Sequence, residues 1–193
     1  MIMVDARALN WRFVLPSEPA DPVVLDLAAA ELYGRLADAL TGAPWPALVV
    51  PDLAAWTAGK SPRTALRELA EGVAPGGWLC VGFRNRWLPG TAEGAMGVRA
   101  ATSALRDAGL HLESVYLPLP DHRQPAFLVD ARTRSQLDYV FRHTFLSYLP
   151  GGSVWARLGR RLLVVARIVS IRVPHPVRVR LAPAYFVIAR RSS

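Results

Sequence analysis

Short apolar runs alternate with amphipathic helical patterns along this chain, and that alternation limits it to a layered α/β arrangement. Residues 22–27 (PVVLDL) form a short apolar run of the kind that makes a buried strand. Residues 28–40 follow, with Leu32, Leu36 and Leu40 four apart on one helical face. Residues 41–44 (TGAP) end that helix, and 46–50 read as a second strand. Ser61 and Pro62 suit an N-cap and first helical position. The helix they open runs to Val73, and Pro75-Gly76-Gly77 turns the chain into a strand over 78–83. Residues 98–108 are helical and stop at Gly109, and 112–117 form a strand with Pro118 behind it. The pattern then predicts helices over 133–148 and 154–171 and a last strand over 184–189 (AYFVIA). Strands and helices in this order argue for a mostly parallel sheet with helices on both faces.

Apolar residues make up 52% of the 193, enough for a real core, so a wholly disordered chain is excluded. No repeat or Gly/Ser linker divides the chain, and a single domain over residues 1–193 is expected. Cys80 is the one cysteine, which excludes an intramolecular disulfide or a cysteine-rich zinc cluster. The four histidines show no HxH or HxxxH spacing, so no metal site is expected. The start MIMVDARALNWRF has no apolar run behind a basic stretch, unlike a secretory signal. The most apolar stretch, 162–173, is interrupted by Arg167 and Arg172 and is too short to cross a bilayer. A soluble, cytoplasmic protein is the expectation.

Leu66-Arg67-Glu68-Leu69 followed by Val73-Ala74-Pro75-Gly76-Gly77-Trp78-Leu79-Cys80-Val81-Gly82 resembles the class I S-adenosylmethionine-dependent methyltransferases. In that family a helix, a Pro-Gly-Gly turn and an apolar strand follow one another in this way. Ala108-Gly109-Leu110 with the following strand and Tyr116-Leu117-Pro118-Leu119-Pro120 looks like the helix, strand and substrate-side loop late in that fold. Residues 185–190 (YFVIAR) look like its last, antiparallel strand, and 11–16 with 24–27 like the entry to its first. The resemblance implies a Rossmann-like domain, S-adenosylmethionine as cofactor, and methyl transfer to a small molecule, as in natural-product or cell-envelope tailoring.

Two departures from that family bear on the cofactor. Its first strand is normally followed by an acidic residue and a glycine-rich loop, whereas Asp26 is followed by Leu27-Ala28-Ala29-Ala30-Glu31. Glycine lets backbone N–H groups approach a ligand closely; alanine places a Cβ there and favours a continuing helix. The segment from Asp26 to Pro75 is also short by about one βα unit of ~30 residues. A shortened sheet is therefore expected, with weak or absent cofactor binding by this chain alone and a protein partner or second copy needed to complete the pocket. A catalytically inert partner subunit, or a fold repurposed for an anionic ligand, are the alternatives.

The candidate residues each carry two readings. By the resemblance, Asp26, Ala28 and Ala30 would line the cofactor loop, and Asp52 would sit at a strand end beside the cofactor. Asp26 and Asp52 also suit helix caps or turns. Arg84, Asn85 and Arg86 follow a strand and suit an anionic substrate, or a solvated loop. Tyr116 and Arg123 belong to the expected substrate region. His122, with Asp121 beside it, has the intrinsic acidity of a general base, yet Pro and Asp also mark a surface turn. Cys80 sits in an apolar strand and reads as a buried, inert thiol.

The net charge of +8 is concentrated late: residues 151–193 hold nine arginines and no Asp or Glu. A basic helical insertion over 151–182 before the last strand is expected. On a helix over 154–171 continued to Arg172, Arg157, Arg160, Arg161, Arg167 and Arg172 fall within one arc. Such a helix suits an anionic surface, or packs on the sheet with a solvated arginine face. The aromatics are not interleaved with these arginines, which speaks against nucleic acid.

Overall fold

The computed structural model describes residues 22–87, 94–119, 127–143 and 173–193. They form a mixed α/β fold around a six-stranded, partly parallel sheet. The strands are β1 (Val23–Val24), β2 (Trp45–Val50), β3 (Val73–Arg84), β4 (Leu110–Leu119), β5 (Phe127–Asp130) and β6 (Ala184–Arg191). Their order is β1-β2-β3-β6-β4-β5. β1, β2 and β3 run parallel. β6 inserts antiparallel between β3 and β4, and β5 adds an antiparallel edge to β4.

The helices are α1 (Leu27–Tyr33), α2 (Leu36–Ala39), α3 (Pro62–Glu71), α4 (Val98–Asp107), α5 (Arg134–His143) and α6 (His175–Arg180), with a 3₁₀ turn at Leu53–Trp56. The crossovers β1→β2, β2→β3 and β3→β4 all advance in one direction across the sheet. Crossovers of one hand then place their helices on one face. The core agrees: Leu36 and Ala39 of α2, Leu66 and Leu69 of α3, and Ala101 and Leu105 of α4 share one cluster with Val50, Val81 and Val187. The opposite face carries a separate buried cluster of Val49, Cys80, Phe186 and Ile188. Among the described residues no crossover helix joins that second cluster.

Local chemistry sets most element ends. The Ser61 side chain accepts the Thr64 N–H at 3.1 Å, with Pro62 in the first turn, as the sequence indicates. The single helix expected over 28–40 is two. Gly34 takes φ +67° and ends α1, Arg35 is extended, and α2 restarts at Leu36. The left-handed glycine overrides the leucine spacing: Leu32 is 77% exposed while Leu36 is buried. Leu27, expected to close the first strand, lies in α1 because the carboxylate of Asp26 caps that helix. The Pro75-Gly76-Gly77 turn is looped out within β3: Trp45 pairs with Val73, but Ala47 already pairs with Trp78. β4 runs through Pro118 to Leu119, since Pro118 pairs with Leu128 of β5, a strand the sequence pattern did not reveal. Of the helix expected over 133–148, the part over Arg134–His143 is α5, and 144–148 lie outside the described residues. The helix expected over 154–171, with Arg157, Arg160, Arg161 and Arg167, lies outside the described residues.

Cys80 is buried in the second cluster, and burial pushes its thiol pKa up to about 12. The folded thiol therefore stays protonated while the unfolded one ionises near 9.0. Native protein is expected to resist iodoacetamide at mildly alkaline pH and to react fully in guanidinium. Because the folded pKa is the higher one, stability should fall as pH rises from about 9 toward 12. Rapid alkylation of native protein would contradict the burial.

Candidate functional site

The carboxyl ends of β1 and β2 bring Asp26 and Asp52 to the same edge of the sheet. In open α/β sheets that edge is where ligands bind. Both carboxylates cap the segments that follow them: Asp26 Oδ1 accepts the Ala29 N–H at 3.0 Å, and Asp52 Oδ1 accepts the Ala54 N–H at 3.1 Å. α1 thus begins directly after Asp26, where the resemblance implies an open glycine loop; Ala28 is exposed and Ala30 half-buried on it. The buried indole of Trp56 donates from Nε1 to the Leu25 carbonyl at 3.1 Å, tying the 3₁₀ turn after β2 to the end of β1. A side chain of the chain itself therefore bridges these two strand ends.

The end of β3 is built differently. Asn85 is completely buried. Its Nδ2 donates to the carbonyls of Arg180 (2.6 Å) and Ala182 (2.7 Å) and to the Tyr185 hydroxyl (3.1 Å), while Oδ1 accepts the Trp87 N–H. Its own N–H donates to the Pro183 carbonyl. One amide thus clamps the chain at 180–185 against the end of β3. The Tyr185 hydroxyl donates on toward the Val179 and Arg180 carbonyls. Burial pushes the phenol up to about 12, partly offset by the hydrogen bond from Asn85, so it is neutral at physiological pH.

Arg86 and Trp87 leave that clamp and face the first turn of α4. Gly97 precedes α4 and provides no side-chain cap. The indole lies against this glycine, for a Cβ there would sit 3.9 Å from Trp87 Nε1. The result is a cavity of about 270 Å³ lined by Arg86, Trp87, Arg99, Arg180 and Tyr185 together with residues of the α4 start. The Arg86 guanidinium lies 5.4 Å from the Trp87 ring centroid, a cation–π distance. Among the described residues the lining holds three arginines and no acidic residue.

Among the sequence candidates within the described residues, only Arg86 lines this cavity. Asn85 spends its polar atoms inside the clamp, and Arg84 is half-buried at the end of β3. Tyr116 packs on the second cluster, opposite the face to which Tyr185 belongs. Asp121, His122 and Arg123 lie outside the described residues. Sequence reasoning missed Arg99, Arg180 and Trp87. A glycine just before a predicted helix, with an arginine in its first turn, was the available signal for Arg99. Within the basic stretch, Arg178 turns inward and is buried, its Nη1 2.5 Å from Asp138 Oδ1 on α5, so this arginine is no part of a solvated face.

No protein-family model matches the chain, and no curated protein does. Among solved structures, the crystal structure of the [4+2]-cyclase SpnF aligns at a TM-score of 0.35 and 14% identity, over 79% of this chain and 53% of that one. The chain thus spans about half the length of that protein. No helix among the described residues is long and apolar enough to cross a membrane, and no cluster of three or more metal-ligating side chains occurs among them.

Proposed function

We propose that this chain is a shortened methyltransferase-type domain that does not bind S-adenosylmethionine by itself and acts as a non-catalytic binding subunit. The observation that carries this reading is the start of α1 at Asp26. A helix capped by that carboxylate and built on Leu27-Ala28-Ala29-Ala30 presents Cβ atoms where a cofactor needs bare backbone. The sheet order supports it. Doubly wound folds hold dinucleotide-sized ligands where the strand order reverses, and here β1 is the edge of the described sheet, with the crossovers β1→β2, β2→β3 and β3→β4 leading away from it. The Trp56 bridge to Leu25 adds a third obstacle.

Calorimetric titration of the full chain with S-adenosylmethionine and with its demethylated product tests the reading. No saturable heat is expected at millimolar ligand. A micromolar dissociation constant would contradict it.

A second reading keeps methyl transfer and gives the missing wall to a partner chain. The exposed Leu27, Leu32 and Tyr33 on α1 favour it, because this helix buries none of its residues and directly follows the edge strand β1. On that reading, cofactor binding appears only in the assembled complex.

A further inference from the structure

The cavity at the end of β3 has a ligand chemistry of its own. Arg86, Arg99 and Arg180 line it with Trp87, and there is no carboxylate among its described lining residues. Arg99 and Arg180 make no ion pair among the described residues, and both are exposed. Two exposed arginines without an ion pair beside one concave space leave charge that an oxyanion can answer by forked, charge-assisted hydrogen bonds. Trp87 is 68% exposed and offers a flat apolar surface at the same mouth. The clamp makes the geometry rigid from behind: Asn85 holds the Arg180 carbonyl and the Trp87 N–H in one hydrogen-bonded unit. Prepared geometry of this kind lowers the ordering cost of binding.

We infer that this cavity binds a small molecule that joins a planar ring to an oxyanion head group, a phosphate in preference to a carboxylate. The head group lies among Arg99, Arg180 and Arg86, and the ring lies against Trp87. Phosphate is preferred because its second charge answers more than one guanidinium. The site lies further along the same sheet edge, shares no lining residue with the Asp26–Asp52 end and does not depend on the reading of that end. A cationic cavity is moreover a poor host for the sulfonium group of S-adenosylmethionine.

Phenyl phosphate is the probe, titrated by calorimetry into the full chain, with benzyl alcohol as its neutral counterpart. Saturable binding of phenyl phosphate is expected, weakening as salt rises, with none for the alcohol. Arg99→Gln and Arg180→Gln should each weaken binding about tenfold, the general scale for a hydrogen bond to a charged group. Both residues are on the surface, so the melting temperature should not move. Arg106→Gln, at the other end of α4, removes the same charge outside the cavity and should leave the affinity unchanged. The proposal is overturned by no saturable heat at millimolar phenyl phosphate, by equal binding of the alcohol, or by equal losses in the Arg106 and Arg99 variants. Because one titration uses an organic phosphate and the other S-adenosylmethionine, failure of this site and failure of the cofactor reading are distinguishable.

Discussion

Asn85→Leu is expected to destabilise the fold by about 3 kcal/mol, since each buried polar group left without a partner costs roughly 1–3 kcal/mol. Leucine is close to asparagine in size, so the loss is chemical rather than one of volume. The Ala182 carbonyl and the Trp87 N–H lose the partner that Asn85 gives them, and the Arg180 carbonyl keeps only the Tyr185 hydroxyl. In melting temperature this is a fall of roughly 6–12 °C for a chain of this size. Asn85→Asp should be no better. It retains an acceptor for Trp87 but turns a carboxylate oxygen toward two carbonyls that need a donor. Thermal melts of the two variants check this. If either melts within a degree or two of the parent, the clamp does not hold the 180–185 segment as described.

The next largest effect belongs to Gly82. It lies directly across from Phe186 in the β3–β6 ladder. A Cβ at this position would come within 2.2 Å of the Pro51 carbonyl oxygen and 2.6 Å of the Phe186 ring. The first neighbour is backbone and cannot rotate away. Gly82→Ala therefore has to push the end of β2 from β3, and Phe186 with it. Overpacking of this kind costs about 3 kcal/mol. Asp52 follows Pro51, so the strain reaches the edge where β1 and β2 end. Gly76→Ala is the informative comparison. Its Cβ meets nothing within 4 Å, and only the φ of +74° opposes it, which costs about 1 kcal/mol. Chemical denaturation should show the Gly82 variant losing clearly more stability than the Gly76 variant. Equal losses would mean that β2 and β3 part more easily than their contact implies.

The order of elements was legible because it is written in local chemistry. Apolar runs at β2, β3 and β6, the Ser61–Pro62 helix start and the Gly109 stop all act within a few residues. Asp26 was legible in two ways at once, as a remnant of a cofactor loop and as a helix cap, and its hydrogen bond to Ala29 is the cap. The break at Gly34 was not foreseen, since leucine spacing is blind to a left-handed glycine. β5 was missed because a four-residue strand (FLVD) carries almost no period. The sequence places Asn85 at an anionic substrate or in a solvated loop, whereas its partners lie about a hundred residues further on, at Arg180, Ala182 and Tyr185. No local pattern announces a pairing over that distance. The same holds for the cavity, where arginines from separate elements come to line one space only once β6 has been inserted between β3 and β4.

The central claim is that the β1–β2 edge is closed by the chain itself. Amide hydrogen exchange of the full chain, with and without excess S-adenosylmethionine, tests it where it applies. The account predicts identical exchange in both samples across Leu27–Tyr33 and Leu53–Trp56, the two segments at that edge. Slowed exchange in those segments when the cofactor is present would show an open site there and contradict the account.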